Sequence, residues 1–152
     1  EHGVSVEAEL GEVGGKNGVH DPSARTNPED AAQFVADTGV DLLAVAVGSS
    51  HAMATREAVL DNQLIAAIHE LVPVPLVLHG SSGVPDEGMV AAIQAGMTKI
   101  NVSTHLNVVF TQGVRQILDE NPKIVDPRKY VGPATHLVQE EVERLMRLYA
   151  QA

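Results

Sequence analysis

A strand-like stretch followed by a helical one recurs four times along the chain, and this repetition restricts the fold more than any other sequence feature. Apolar or alternating patterns predict strands over residues 4–10, 41–48, 76–78 and 98–102. Amphipathic patterns predict the intervening and following helices over residues 28–38, 61–71, 86–95 and about 106–120, with a terminal helix over residues 133–150. Strands and helices that alternate in this way indicate an α/β fold with a parallel sheet.

Composition excludes several classes of protein. The 152 residues include 10 basic and 20 acidic side chains, so nucleic acid is not an expected partner. The longest apolar run, residues 42–47, is far too short to cross a bilayer. No targeting segment precedes the first strand, and we expect a cytoplasmic protein with no membrane partner. Since the sequence contains no cysteine, polar chemistry is left to His, Asp and Glu.

Polar side chains lie near the carboxyl end of each predicted strand. They are Glu9, His51, His79 and Asn101, in strand order. Because the carboxyl ends of parallel strands meet at one face, we expect these side chains to converge. Two imidazoles and a carboxylate suit a divalent transition metal, with zinc as the first choice. Taken singly, each histidine could be an ordinary loop residue, and Glu7 or Glu9 could belong to a solvated strand face.

The other five histidines are not expected to bind this metal. Four of them fall in loops or on helix surfaces: His2, His20, His69 and His136. His105 follows the fourth strand and could approach the site, but its spacing does not distinguish it from a residue at the start of a helix.

Two loops have the composition of an anion site. Residues 80–83 (GSSG) follow the third strand, and Ser103 with Thr104 follows the fourth. Small residues, hydroxyls and free amides just before helix N-termini favour a phosphate group. The last two strands of a (βα)8 barrel commonly carry such a site. The ordinary alternative is that these turns only cap helices.

Five segments resemble one family, the class II, metal-dependent fructose- and tagatose-bisphosphate aldolases. They occur in the family's order and cover nearly the whole chain. The segments are VSVEAELGEVGG (4–15), TGVDLLAVAVGSSH (38–51), PLVLHGSSGVP (75–85), KINVST (99–104) and DPRKY (126–130).

The resemblance implies a (βα)8 TIM barrel that cleaves a ketose 1,6-bisphosphate to dihydroxyacetone phosphate and glyceraldehyde 3-phosphate. Residues 1–152 are then expected to be the C-terminal half of a single barrel domain, with four βα units and terminal helices. The family's third zinc histidine and its catalytic aspartate lie on an earlier strand, which this sequence does not contain.

The resemblance also assigns roles to residues of this chain. His51 and His79 resemble two of the zinc histidines, and Glu9 resembles the carboxylate that binds the metal in a more buried position. Asn101 matches a catalytic asparagine that touches the substrate near the enediolate. The implied cofactor is Zn²⁺, with a monovalent cation such as Na⁺ or K⁺ near the phosphate site.

The implied partner is a small-molecule sugar phosphate. The positions that match those binding the dihydroxyacetone phosphate group are Gly80, Ser82, Ser103 and Thr104. Arg128 resembles an arginine that reaches into a neighbouring subunit to hold the second phosphate, so we expect a homodimer or homotetramer.

Several positions depart from the family pattern. Lys16 and Asn17 follow the Gly pair where members often have acidic residues implicated in proton transfer, and Ala52 replaces the usual Gly after the first histidine. Thr55 and Arg56 stand where some members place a lysine.

Two alternatives to an aldolase therefore stay open, a non-catalytic phosphate- or metal-binding relative and a (βα)8 enzyme of different chemistry. A His-Asp pair at an upstream strand end would favour the aldolase. Ser103 replaces the acidic residue of fructose-type members, as small residues do in tagatose-type ones, and the choice between the two sugars stays open.

Overall fold

The computed structural model describes residues 3–11, 24–51 and 55–152. The chain divides into two compact units, one ending at Val102 and also taking in Ala152, the other covering residues 103–151. Five residues with a predicted role or exclusion lie outside the described ranges: His2, Lys16, Asn17, His20 and Ala52. In the described part of the chain, no helix is long and apolar enough to cross a membrane.

The first unit is a four-stranded parallel sheet with three α-helices between and beside its strands, as predicted. The strands are β1 (Glu7–Leu10), β2 (Leu42–Val45), β3 (Leu76–Leu78) and β4 (Met97–Ile100), paired in the order β1-β2-β3-β4. The helices are α1 (Pro28–Thr38), α2 (Asn62–Leu71) and α3 (Asp86–Gln94). A 3₁₀-helix over Ser81–Gly83 follows β3 and was not predicted.

Strand register puts the site residues on one face of this sheet. Glu9 pairs with Ala44, Ala44 with Val77, and Val77 with Lys99, so these four form one row across the sheet. Successive strand side chains alternate between faces. Leu43, Leu76 and Leu78, all fully buried, therefore lie on the opposite face. Crossovers between parallel strands are right-handed as a rule, so α1 to α3 are expected together on that face.

The first helix begins and ends as its sequence predicts. The Asn27 side chain accepts a hydrogen bond from the Asp30 backbone N–H at 3.0 Å, and Pro28 occupies the first helical position. At the other end Gly39 adopts a left-handed conformation, φ 65°, and donates its N–H to the Val35 carbonyl.

Thr26 joins the carboxyl ends of β1 and β2. Its hydroxyl donates to the Leu10 carbonyl at 2.6 Å and accepts from the Ala46 N–H at 2.8 Å. The Thr26 N–H also donates to the Ala46 carbonyl at 2.9 Å. One buried threonine thus fixes the spacing of the two strand ends beside the candidate site.

The second unit consists of α4 (Thr104–Glu120) packed on α5 (Arg128–Ala150). They approach closely at Gly113, where a Cβ would come within 2.7 Å of Leu137 Cδ1 and 3.5 Å of Ala134. An alanine at this position would therefore require the end of the Leu137 side chain to shift.

The predicted start of α5 at Pro133 is wrong, because the helix begins five residues earlier, at Arg128. The carbonyls of Asp126 and Pro127 accept bonds from the N–H groups of Lys129, Tyr130 and Val131 and close the first turn. Pro133 lies inside the helix, near its N-terminus. The other boundaries moved less: β1 is shorter than predicted, β4 begins one residue earlier, and α4 begins at Thr104.

Candidate metal and substrate site

Glu9, His51 and His79 come together at the carboxyl end of the sheet. Each offers one ligand atom, and these atoms all lie within 4.8 Å of one another. Glu9 is on β1, His51 follows β2 by a short loop, and His79 follows β3 directly. The two imidazole rings meet edge to face, with centroids 6.0 Å apart and an interplanar angle of 67°. The convergence that the sequence predicts for these three residues is therefore present in the structure.

The His79 ring lies between two carboxylates. Its Nδ1 is 2.9 Å from Glu9 Oε2, and its Nε2 is 3.0 Å from Glu7 Oε1. All three side chains are about a quarter to a third exposed, at 22%, 25% and 34% for His79, Glu7 and Glu9. To donate hydrogen bonds to both carboxylates, the His79 ring must carry two protons. To bind a metal, it must instead have no proton on the nitrogen that faces the metal.

The three donors fit a zinc ion in type and in spacing. Zinc sites commonly use two imidazoles and a carboxylate, with bonds of about 2.0–2.2 Å and tetrahedral angles that separate ligand atoms by roughly 3.4 Å. In the structure the Nδ1 to Oε2 separation of 2.9 Å is slightly shorter than this, and the outer limit of the cluster, 4.8 Å, is longer. The separation that a tetrahedral zinc site requires thus falls between the shortest donor distance and the outer limit of the cluster.

Glu7 and Lys99 extend this cluster, although sequence reasoning gave neither a role. Lys99 Nζ is 2.7 Å from Glu7 Oε2 and donates to Asn101 Oδ1 at 2.8 Å. The Lys99 ammonium, with a smaller effect from His79, holds the pKa of Glu7 below its usual value. Because strand side chains alternate between faces, Glu7 shares the face of Glu9 on β1. Lys99 stands two positions before Asn101, so strand alternation places both on the same face and could have identified Lys99 from the sequence.

The Lys99–Glu7 ion pair joins the first strand of the sheet to the last. Three strand spacings separate these strands by about 14 Å in a flat sheet, where side chains stand roughly perpendicular to it. A direct contact requires the sheet to curve, with both residues on its concave face. Such curvature is that of a barrel segment.

The predicted phosphate loop after β3 has a tightly constrained backbone. Gly80 has φ 65°, and a Cβ there would lie 2.7 Å and 2.8 Å from the backbone C and O of Ser50. Ser81 is buried and donates its hydroxyl to the Asn101 carbonyl at 2.6 Å. Ser81 thus holds β4 beside the loop, whereas Gly80 and Ser82 stay predicted binding positions.

Arg56 fastens the loop after β2 to the loop after β3. Its Nε and one terminal nitrogen donate to the Val84 carbonyl at 3.0 Å and 2.8 Å, and that terminal nitrogen is 2.5 Å from Asp86 Oδ1. Ala58 adds a backbone hydrogen bond to the Gly83 carbonyl. The sequence marked Arg56 only as a departure from the family pattern.

The remaining predicted binding residues belong to the second unit. Ser103 precedes α4 as its N-cap residue, and Thr104 is the first residue of that helix. The Arg128 side chain is 88% exposed, and its guanidinium contacts the Asp126 carboxylate at 2.8 Å. This pairing lowers the pKa of Asp126 and raises that of Arg128.

The three described histidines outside the metal cluster are all in helices. His105 pairs with Glu141 at 2.7 Å, which identifies it as part of the contact between α4 and α5. His69 is exposed on α2, and His136 is exposed on α5. None of them is among the metal donors that the described residues bring together.

Comparisons with known proteins agree with these features. Residues 1–152 match the family described as fructose-bisphosphate aldolase class-II. The YdjI aldolase of Escherichia coli K12 superposes with a TM-score of 0.75 and 35% identity, covering 97% of this chain and 50% of that one. A Coccidioides immitis protein assigned as a fructose-1,6-biphosphate aldolase gives 0.80 and 30%, covering 97% and 53%.

A third solved structure supports the fold alone. The fructose-bisphosphate aldolase of Campylobacter jejuni superposes with a TM-score of 0.78 at 23% identity, covering 97% of this chain and 52% of that one. The chain thus spans about half the length of the solved structures it matches. The match over all 152 residues confirms the resemblance seen in the sequence motifs. The chain belongs to the class II fructose-bisphosphate aldolase family.

Proposed function

We propose that this chain is part of a zinc-dependent aldolase that interconverts a ketose 1,6-bisphosphate with dihydroxyacetone phosphate and glyceraldehyde 3-phosphate. The observation that carries the proposal is the convergence of Glu9, His51 and His79 to within 4.8 Å at the carboxyl end of the sheet. Family membership supports an aldol-type lyase. In this proposal, residues 1–152 contribute four βα units to a (βα)8 barrel, and the other four units complete it.

The reaction breaks the C3–C4 bond of the sugar. The bond's electron pair passes to the three-carbon fragment as an enediolate, the C4 hydroxyl loses a proton as the aldehyde forms, and C3 then gains a proton. Zinc held by Glu9, His51 and His79 would act as a Lewis acid toward the oxygens that carry the developing charge. The side-chain amide of Asn101 would donate a hydrogen bond to the substrate close to that charge. The family resemblance assigns the C4 proton transfer to an aspartate outside these residues.

The phosphate groups would be held by two sets of residues. The amides and hydroxyls of Gly80, Ser82, Ser103 and Thr104 would bind the phosphate of the dihydroxyacetone half. Arg128, largely exposed, would bind the second phosphate in a neighbouring subunit, which makes the enzyme at least a dimer. A monovalent cation near the phosphate site stays a prediction from the resemblance.

The metal role is tested by aldol cleavage in the complete enzyme, with fructose and tagatose 1,6-bisphosphate as separate substrates. We expect a chelator to abolish cleavage, added zinc to restore it, and His79→Ala to lose metal retention. His136→Ala, an exposed histidine of α5, is the matched control and should behave as wild type. Full activity in a metal-free preparation would contradict the proposal. Metal binding without cleavage of either sugar would support the non-catalytic alternative instead.

The phosphate roles are tested by steady-state kinetics in the same enzyme. Ser82→Ala and Thr104→Val should each raise KM, because a hydrogen bond to a charged group contributes about 1.5–3 kcal/mol. Arg128→Ala should weaken binding of the bisphosphate more than binding of dihydroxyacetone phosphate, since the guanidinium pairs with only one phosphate. Equal losses for the two ligands would rule out this role for Arg128.

A further inference from the structure

We infer that Glu7 and Lys99 form a positioning pair that orients two working groups at once, the His79 imidazole and the Asn101 amide. The inference rests on the proposed function, because it concerns how a metal ligand and a substrate-binding amide are held. Neither Glu7 nor Lys99 is placed among the metal or substrate ligands themselves.

Glu7 fixes which nitrogen of His79 faces the metal. The Nδ1 atom lies 2.9 Å from Glu9, a member of the donor cluster, and Nε2 lies 3.0 Å from Glu7 on the ring's other side. A metal held with Glu9 and His51 must therefore use Nδ1. The proton then stays on Nε2 and is donated to Glu7, the arrangement in which a carboxylate orients a metal-bound histidine.

Lys99 keeps the Glu7 carboxylate in place. Glu7 uses Oε1 for His79 and Oε2 for Lys99, at 3.0 Å and 2.7 Å, so neither carboxylate oxygen is free to rotate away. The Lys99 ammonium also compensates the negative charge of Glu7, one of the two carboxylates that flank the His79 ring. Without that cation, Glu7 and Glu9 would repel each other across the ring.

Lys99 also determines which end of the Asn101 amide faces the substrate. An ammonium can only donate, so the amide atom 2.8 Å from Lys99 Nζ is the oxygen, and the NH₂ group points elsewhere. The Asn101 backbone is fixed independently, since its N–H donates to the Leu78 carbonyl and its carbonyl accepts from Ser81. The orientation of the side-chain amide is therefore the property that Lys99 controls, and it leaves a donor for a substrate oxygen.

A purely structural ion pair would behave differently. Lys99 is 46% exposed, and exposed ion pairs add little to stability. A structural role therefore predicts that removing either partner leaves metal affinity and turnover unchanged. A positioning role predicts selective losses, with metal affinity more sensitive to Glu7 and turnover more sensitive to Lys99.

The test uses the complete enzyme loaded with Co²⁺, whose visible spectrum reports the ligand geometry. The variants are Glu7→Gln, Lys99→Met and Lys99→Arg, with Glu70→Gln and Lys123→Met as exposed controls. Chelator competition gives the Co²⁺ affinity, and steady-state kinetics gives kcat and KM. We expect Glu7→Gln to lower Co²⁺ affinity by about 10–100-fold and to change the spectrum.

For Lys99→Met we expect Co²⁺ affinity within about five-fold of wild type and kcat reduced by about ten-fold or more, in the range of positioning effects. Lys99→Arg keeps donors for both Glu7 and Asn101 and should recover part of kcat. The inference is overturned if Glu7→Gln retains wild-type affinity and spectrum, or if Lys99→Met retains wild-type kcat. Failure of the wild-type enzyme to bind Co²⁺ would instead contradict the proposed function.

Discussion

Gly80 shows how a single backbone conformation can decide whether the site forms. Gly80 and Gly39 both have φ 65°, but a Cβ on Gly39 would meet nothing within 4 Å, whereas one on Gly80 would strike the Ser50 backbone at 2.7 Å. The obstructing atoms belong to the main chain and cannot move away as a side chain can. The two glycines therefore form a matched pair that separates conformational strain from steric collision.

We predict that Gly80→Ala destabilises the complete enzyme more than Gly39→Ala does. The left-handed conformation alone costs an alanine about 1–2 kcal/mol, and the collision at Gly80 adds to this. Because Gly80 adjoins His79, the variant should also retain metal less well. Denaturant unfolding and chelator competition measure the two effects. Equal destabilisation by both variants, with metal retention unchanged, would show that the loop absorbs the added methyl group.

At the scale of elements, the contact between α4 and α5 contains a partly buried charge cluster. Glu141 is only 17% exposed, pairs with His105 at 2.7 Å and accepts a hydrogen bond from Arg144 at 2.8 Å. Arg144, followed by His105, lowers the pKa of Glu141 from 4.5 to about 2. The folded state thus favours the ionised carboxylate more strongly than the unfolded chain does.

Glu141 therefore contributes to the free energy of unfolding in a way that depends on pH. Because the folded pKa of Glu141 is depressed, its contribution is fully present above about pH 4.5 and is lost as the pH falls toward about 2. We predict that Glu141→Gln lowers the free energy of unfolding by about 1–3 kcal/mol at pH 7, and that the difference from wild type shrinks between these pH values. Denaturant unfolding across the range measures it.

Glu143→Gln is the control, since Glu143 pairs with Arg147 on the exposed side of α5. Exposed pairs contribute about 0–1 kcal/mol, so this variant should change the unfolding free energy little. A difference between Glu141→Gln and wild type that is the same at pH 3 and pH 7 would contradict the assigned role of the cluster.

The elements also show which features a sequence can specify. The limits of α1 followed from local chemistry, because Asn27, Pro28 and Gly39 each act on their own helix end. The start of α5 did not follow from local chemistry. Proline is a common first residue of a helix, so Pro133 suggested a start there and gave no sign that Asp126 and Pro127 close an earlier turn.

The candidate site also has some features that the sequence predicts and others that it does not. Glu9, His51 and His79 were predicted to converge because all parallel strands end at one face. The contact between Lys99 and Glu7 depends on the curvature of the whole sheet, and the Arg56 contacts depend on how two loops fold against each other. Neither property is encoded in the spacing of residues along the chain.

At the scale of the whole molecule, the two outer strands determine whether the chain can exist as a monomer. Among the described residues, β1 pairs only with β2, and β4 pairs only with β3. Each therefore presents a row of backbone N–H and C=O groups to any other strand. Val4 and Val6, just before β1, are 76% and 56% exposed. In a closed barrel, strands of the other βα units would cover both edges.

We predict that these 152 residues, expressed alone, associate with one another through the outer strands and cleave no ketose bisphosphate. Coexpression with a chain that supplies the other four βα units should suppress the association. Sedimentation velocity and an aldol-cleavage assay, with the complete enzyme as reference, measure both properties. A soluble monomer with turnover near that of the complete enzyme would contradict the half-barrel proposal.

The alternation of side chains along the strands has an evolutionary consequence. On β1, Glu7 and Glu9 lie at the candidate site, while Ala8 between them is on the opposite face, in register with the fully buried Leu43. Neighbouring codons of one strand therefore encode different properties, one set the fold and the other the site. A descendant gene can exchange the second set and keep the first. New substrate preferences can thus arise in this family while the inherited scaffold is preserved.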